Sequence, residues 1–112
     1  MKLSQEIVDG DIYKMTLHGS LDIAGSAHVD PQFDMAVDKQ KKLIVDISDV
    51  DFLASIGIRT LVKSAKGLAE KGGRMAVYGA QENPRRVLES TGVDKIIMLV
   101  DDEDAARAYV SK

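Results

Sequence analysis

Ser55 is the residue whose setting most invites chemistry. It sits in the stretch Asp51-Phe52-Leu53-Ala54-Ser55-Ile56-Gly57-Ile58-Arg59, where an apolar run gives way to a helical pattern. A hydroxyl at the start of a helix can cap it by accepting a backbone N–H. Beside a base it can act as a nucleophile. It can also carry a phosphoryl group next to the positive end of the helix dipole. As an N-cap, Ser55 lacks the Glu or Gln three positions on that would close a capping box, because that position is Ile58. As a hydrolytic nucleophile it would need His18 or His28, the two histidines, with Asp22 to orient the ring. The Gly-x-Ser-x-Gly elbow is missing, since Leu53 stands two residues before Ser55. Asp22, Asp46, Asp49 and Asp51 are the other set that could do chemistry, as magnesium ligands or as a phosphoacceptor. Asp46, inside an apolar strand run, reads more simply as an acceptor of backbone hydrogen bonds. No glycine pattern for a dinucleotide or for nucleotide phosphates occurs.

Ile56 adds a second signal. At about 100° per residue it lies about 200° from Ile58, on the stripe of Arg59, Thr60 and Lys63. An isoleucine on that stripe, beside an exposed hydroxyl and before a glycine that admits another backbone, describes part of a docking surface.

The elements that must position these residues follow from periodicity. Leu3 to Val8 and Ile12 to Leu17 flank Asp9-Gly10, a hairpin dipeptide. Asp30 as N-cap and Pro31 at the first helical position predict a helix with Val29, Phe33, Ala36 and Val37 on one face. Leu43 to Ile47 is nearly continuous in apolar character, as expected of a strand covered on both sides. Ile58, Leu61, Val62, Ala65, Leu68 and Ala69 then follow helical spacing until Gly72-Gly73. Met75 to Tyr78 reads as a buried strand, and Asn83-Pro84 opens a third helix that Gly92 ends. Ile96 to Val100 reads as a last strand, and Asp101 or Asp102 begins a terminal helix. The order ββαβαβαβα predicts an α/β fold: a mixed, mostly parallel five-stranded sheet with about four helices and one antiparallel neighbour from the hairpin. The five aromatic residues are scattered and read as core or half-buried packing.

Composition narrows the class. At 112 residues the chain is a single domain, 1–112. Apolar residues make up 45% and charged residues 29%, an ordinary globular balance. Fifteen basic against eighteen acidic residues give a net charge of −3, which offers no electrostatic footprint for nucleic acid. Cysteine is absent, so disulfides, thiol catalysis and cysteine metal sites are excluded, in keeping with a reducing compartment. The longest apolar run, Ile96 to Val100, is far short of the ~20 residues a membrane span needs. Charges at Glu6, Asp9, Asp11 and Lys14 interrupt anything like a secretory signal. These features together predict a cytoplasmic location without direct membrane insertion.

Three segments carry a family resemblance: Gly19-Ser20-Leu21-Asp22, then Asp49-Val50-Asp51-Phe52-Leu53-Ala54-Ser55-Ile56-Gly57, then Asn83-Pro84 with Val87 and Thr91-Gly92-Val93. In that order and spacing they resemble the STAS domain of anti-sigma factor antagonists and sulfate-transporter tails, over nearly the full chain. The resemblance implies a non-enzymatic binding module with no cofactor of its own. Its partners would be an anti-sigma factor with serine kinase activity and a serine phosphatase, and any ATP or magnesium would belong to the kinase. It implies Ser55 as phosphoacceptor, with Asp22, Leu53, Ala54, Ile56, Gly57 and Arg59 at the partner surface. Ala54 stands where the family usually has Asp, and Ile56 where it has a second hydroxyl residue. A stand-alone STAS subunit regulating a transporter or a lipid-trafficking ABC ATPase is the alternative within the fold.

Overall fold

The structure, a computed structural model, describes residues 1–112. β1 (Lys2–Val8) and β2 (Ile12–Leu21) form the hairpin, and both Asp9 and Gly10 at its tip have positive φ. α1 (Ile23–Lys39), β3 (Lys42–Leu53), α2 (Ser55–Glu70), β4 (Arg74–Tyr78), α3 (Glu82–Ser90), β5 (Met98–Val100) and α4 (Glu103–Val110) follow, with a short 3₁₀ turn at Val93–Lys95. The strands lie in chain order β1-β2-β3-β4-β5, and every pair except β1·β2 is parallel.

The two faces of the sheet are covered unequally. Met15, Leu17, Val45 and Val77 on one face pack under Val29 and Phe33 of α1, Leu61 and Leu68 of α2 and Leu88 of α3. On the other face only α4 packs, through Ala106 and Val110 against Ile12, Ile44, Ala76 and Tyr78. Double coverage explains why the β3 and β4 sequences are apolar at successive positions.

Several boundaries differ from the sequence-based expectation. β3 runs six residues beyond Ile47, because its register against β2 shifts twice. Thr16 faces Asp46 but His18 faces Asp49; Gly19 faces Val50 but Ser20 faces Phe52. Each shift inserts one extra residue on β3, so Ile47, Val50 and Leu53 all reach the core and the two-residue alternation is lost. β2 likewise extends to Leu21. α1 begins at Ile23 with Asp22 as N-cap, so Pro31 lies inside the helix and Asp30 caps nothing. Phe52 is exposed, contrary to a packing role. β5 starts at Met98 rather than Ile96, because the N–H groups of Ile96 and Ile97 close the preceding turn on the Val93 carbonyl at 2.9 and 3.0 Å.

Candidate functional site

The parallel strands β2 and β3 end side by side, which places the starts of α1 and α2 next to each other. Leu21 pairs with Leu53, and the Ala54 N–H donates to the Leu21 carbonyl at 3.0 Å, tying the two strand ends together. Asp22 caps α1, its Oδ1 accepting the Gly25 N–H at 2.8 Å. The carboxylate is exposed at the same end of the sheet as Ser55.

Ser55 is not the N-cap of α2. That position is Ala54, in extended conformation and without a side-chain cap, and Ser55 is the first helical residue. No acidic residue follows in the first turn. Each of the other helices has at least one such device. Asp22 caps α1, Glu82 lies in the first turn of α3, and Asp102 with Glu103 and Asp104 serves α4. The first turn of α2 therefore carries no negative charge of its own at its positive end, where Ser55 is exposed.

Gly57 and Leu53 lie inside, so their side-chain positions face this chain rather than a partner. A Cβ on Gly57 would stand 2.9 Å from Leu21 Cβ and from Leu53 Cδ1, and 3.0 Å from the Leu21 carbonyl oxygen. The glycine lets α2 seat directly on the ends of β2 and β3. Ala54 is half-buried, whereas Ser55, Ile56 and Arg59 are exposed.

The stripe of Ile56, Thr60 and Lys63 faces α1 rather than open solvent. Thr60 is buried, and its hydroxyl donates to Asp30 Oδ1 at 2.9 Å. Lys63 Nζ lies 2.9 Å from Asp30 Oδ2 and 3.1 Å from Asp34 Oδ1. The Lys63 hydrogen bond, helped by that of Thr60 and opposed by partial burial, holds the Asp30 carboxyl below its usual range. The same bond raises the Lys63 ammonium. Above this clasp the helices part into a groove of about 340 Å³, with Ile23, Ala27 and Ile56 beside Arg59 and Asp30. Ile23 is 75% exposed and Ile56 37%. Ile23 escaped the sequence reading because the start expected for α1, at Pro31, lies eight residues beyond the observed one. An isoleucine directly after an N-capping Asp22 was the signal.

The remaining candidates do not assemble. His18 Nδ1 pairs with Asp49 Oδ2 at 2.7 Å, Asp46 Oδ1 accepts the Ser48 N–H and hydroxyl, and Asp51 accepts the Ser20 hydroxyl. Each aspartate is thus engaged with its own neighbour, and no three His, Asp or Glu side chains converge. No helix is long and apolar enough to cross a membrane.

Comparison with known proteins places this architecture. Residues 5–106 match the STAS domain, and the chain belongs to that family. It is 26% identical over 109 residues to BtrV of Bordetella bronchiseptica, described as a candidate anti-sigma factor antagonist; the match covers 96% of this chain and 93% of BtrV. It is 29% identical over 89 residues to the anti-sigma F factor antagonist of Paenibacillus polymyxa, covering 78% and 76% of the two chains. The crystal structure of an anti-sigma factor antagonist from Mycobacterium paratuberculosis superposes with a TM-score of 0.89 at 26% identity, over 99% of this chain and 94% of that one.

Proposed function

We propose that this chain is an anti-sigma factor antagonist, a binding module that sequesters an anti-sigma factor and so frees a sigma factor for transcription. The observation that carries the reading is Ser55: an exposed hydroxyl in the first turn of a helix with neither cap nor acid, beside the groove flanked by Ile23 and Ile56. The full-length match to antagonists supports it. Docking buries the two isoleucines against an apolar patch of the anti-sigma factor in the cytoplasm, and Arg59 and Asp22 supply charge at the rim.

Phosphorylation of Ser55 by a kinase activity of the partner, which holds the ATP, reverses docking, and a serine phosphatase restores it. The phosphoserine carries about −1.5 to −2 charges. The unpaired N–H groups and dipole of α2 accept that charge, and Arg59 lies one turn along, so the fold is unharmed. At the contact surface the same charge must be desolvated beside Ile56, and affinity falls.

The test compares the parent with Ser55→Asp. Titration calorimetry against the anti-sigma factor should show at least about tenfold weaker binding for the variant, with an unchanged or slightly raised Tm. Equal affinity, or an unfolded variant, overturns the switch. Intact mass after incubation with the partner and ATP should show one phosphate on the parent and none on Ser55→Ala.

A further inference from the structure

The two edges of the sheet are built differently. β5 is three residues long, and a very short edge strand is a poor template for another strand. β1 is seven residues long, pairs in continuous register with β2 on one side, and has no strand on the other. It holds no proline and no bulge, so its outward N–H and C=O groups form a regular unpaired row.

The charges along that row complement themselves. Lys2 alone would repel a like strand, but Glu6 follows four residues later, and both are exposed. When a second β1 is laid antiparallel about a two-fold axis at Ser4, Lys2 of each copy faces Glu6 of the other, and Leu3 faces Gln5. Glu6 is held only loosely within the chain. It lies 3.8 Å from Lys14, whose shorter partner is Glu103 at 2.7 Å. Leu3, Gln5 and Ile7 stand opposite Leu17, Met15 and Tyr13, so they line the face that carries α1. On that face Ile7 is 51% exposed and Met35 of α1 is 52% exposed, and Met35 shares a small cavity with Gln5 and Tyr13. A second copy's Leu3, set opposite Gln5, would lie next to that cavity.

We propose that β1 is the seam of a homodimer, in which two copies pair their β1 strands antiparallel about Ser4 into one continuous ten-stranded sheet. The two Ser55 ends then point in opposite directions, leaving both docking grooves free. The seam is a single strand pair, so the dimer is weak and depends on concentration.

Sedimentation velocity of the full chain from about 5 to about 500 μM should show monomer passing to dimer. Lys2→Glu and Glu6→Lys each set like charges face to face, and each should weaken self-association at least about tenfold. Both residues are exposed, so Tm should stay close to that of the parent. An equimolar mixture of the two variants restores complementary facing charges and should dimerise as the parent does. The proposal is overturned by a parent that stays monomeric over that range, by a dimer indifferent to either reversal, or by a mixture that fails to associate.

Discussion

Helices α2 and α4 both start at the ends of parallel strands, yet their first turns are opposites. α4 opens with Asp102, whose Oδ1 accepts the Ala105 N–H at 2.9 Å, followed by Glu103 and Asp104. α2 opens with Ala54, which has no cap, followed by Ser55 and Ile56. In α4 the third helical residue is the exposed Ala105; in α2 it is the buried Gly57, wedged against Leu21 and Leu53. One start is finished electrostatically and loosely seated, while the other is tightly seated and left open. Under the switch proposed for Ser55, an end that takes up and releases a charge gains nothing from a permanent one. A tight seat then holds the open end in place.

Breaking the seat should have the largest effect. Gly57→Val would set a Cβ 2.9 Å from Leu21 Cβ and Leu53 Cδ1, with two further methyls to place, and should cost about 3 kcal/mol in urea unfolding. Ala105→Val, at the same helical position in α4, should cost less than about 0.5 kcal/mol. Removing the finish comes next: Asp102→Ala should lose about 1 kcal/mol. Supplying it where it is missing is the converse. Ala54→Asp should gain about 0.5–1 kcal/mol, and no gain would show that the α2 start is already satisfied.

Acid titration sharpens the contrast by a smaller amount. The Lys14 hydrogen bond, then those of Arg107 and Tyr78, hold the Glu103 carboxyl below its ordinary value of 4.5 despite partial burial. A carboxyl depressed in the folded state adds stability above its unfolded pKa and loses it as the pH falls through the folded one. The parent's Tm should therefore drop more than that of Glu103→Gln between about pH 6 and about pH 3. Equal drops would mean that the Lys14–Glu103 pair contributes nothing.

Much of this was legible beforehand. The hairpin at Asp9-Gly10, the alternation of strands and helices and the motif around Ser55 depend on local propensity and periodicity, which survive without tertiary context. The misreadings have two causes. At β3 the bulges opposite Thr16–His18 and Gly19–Ser20 replace alternation by the spacing 47, 50, 53, and nothing in the residues announces where a register slips. At α1 the Asp30-Pro31 pair imitates a helix start, while the true cap at Asp22 is followed by a turn with no acidic residue.

Residue types alone determined the layered α/β class, the absence of thiol chemistry and the serine on which the functional reading turns. They could do so because hydrophobic period and side-chain chemistry are properties of short segments. Only the tertiary structure decided that Gly57 serves the interior, that Thr60 and Lys63 clasp α1 through Asp30, and that Ile23 joins Ile56 across a groove. Those outcomes depend on which helix lies beside α2. That choice is made by the packing of α1 on β2 and of α2 on β4, which brings together residues some thirty positions apart in the chain.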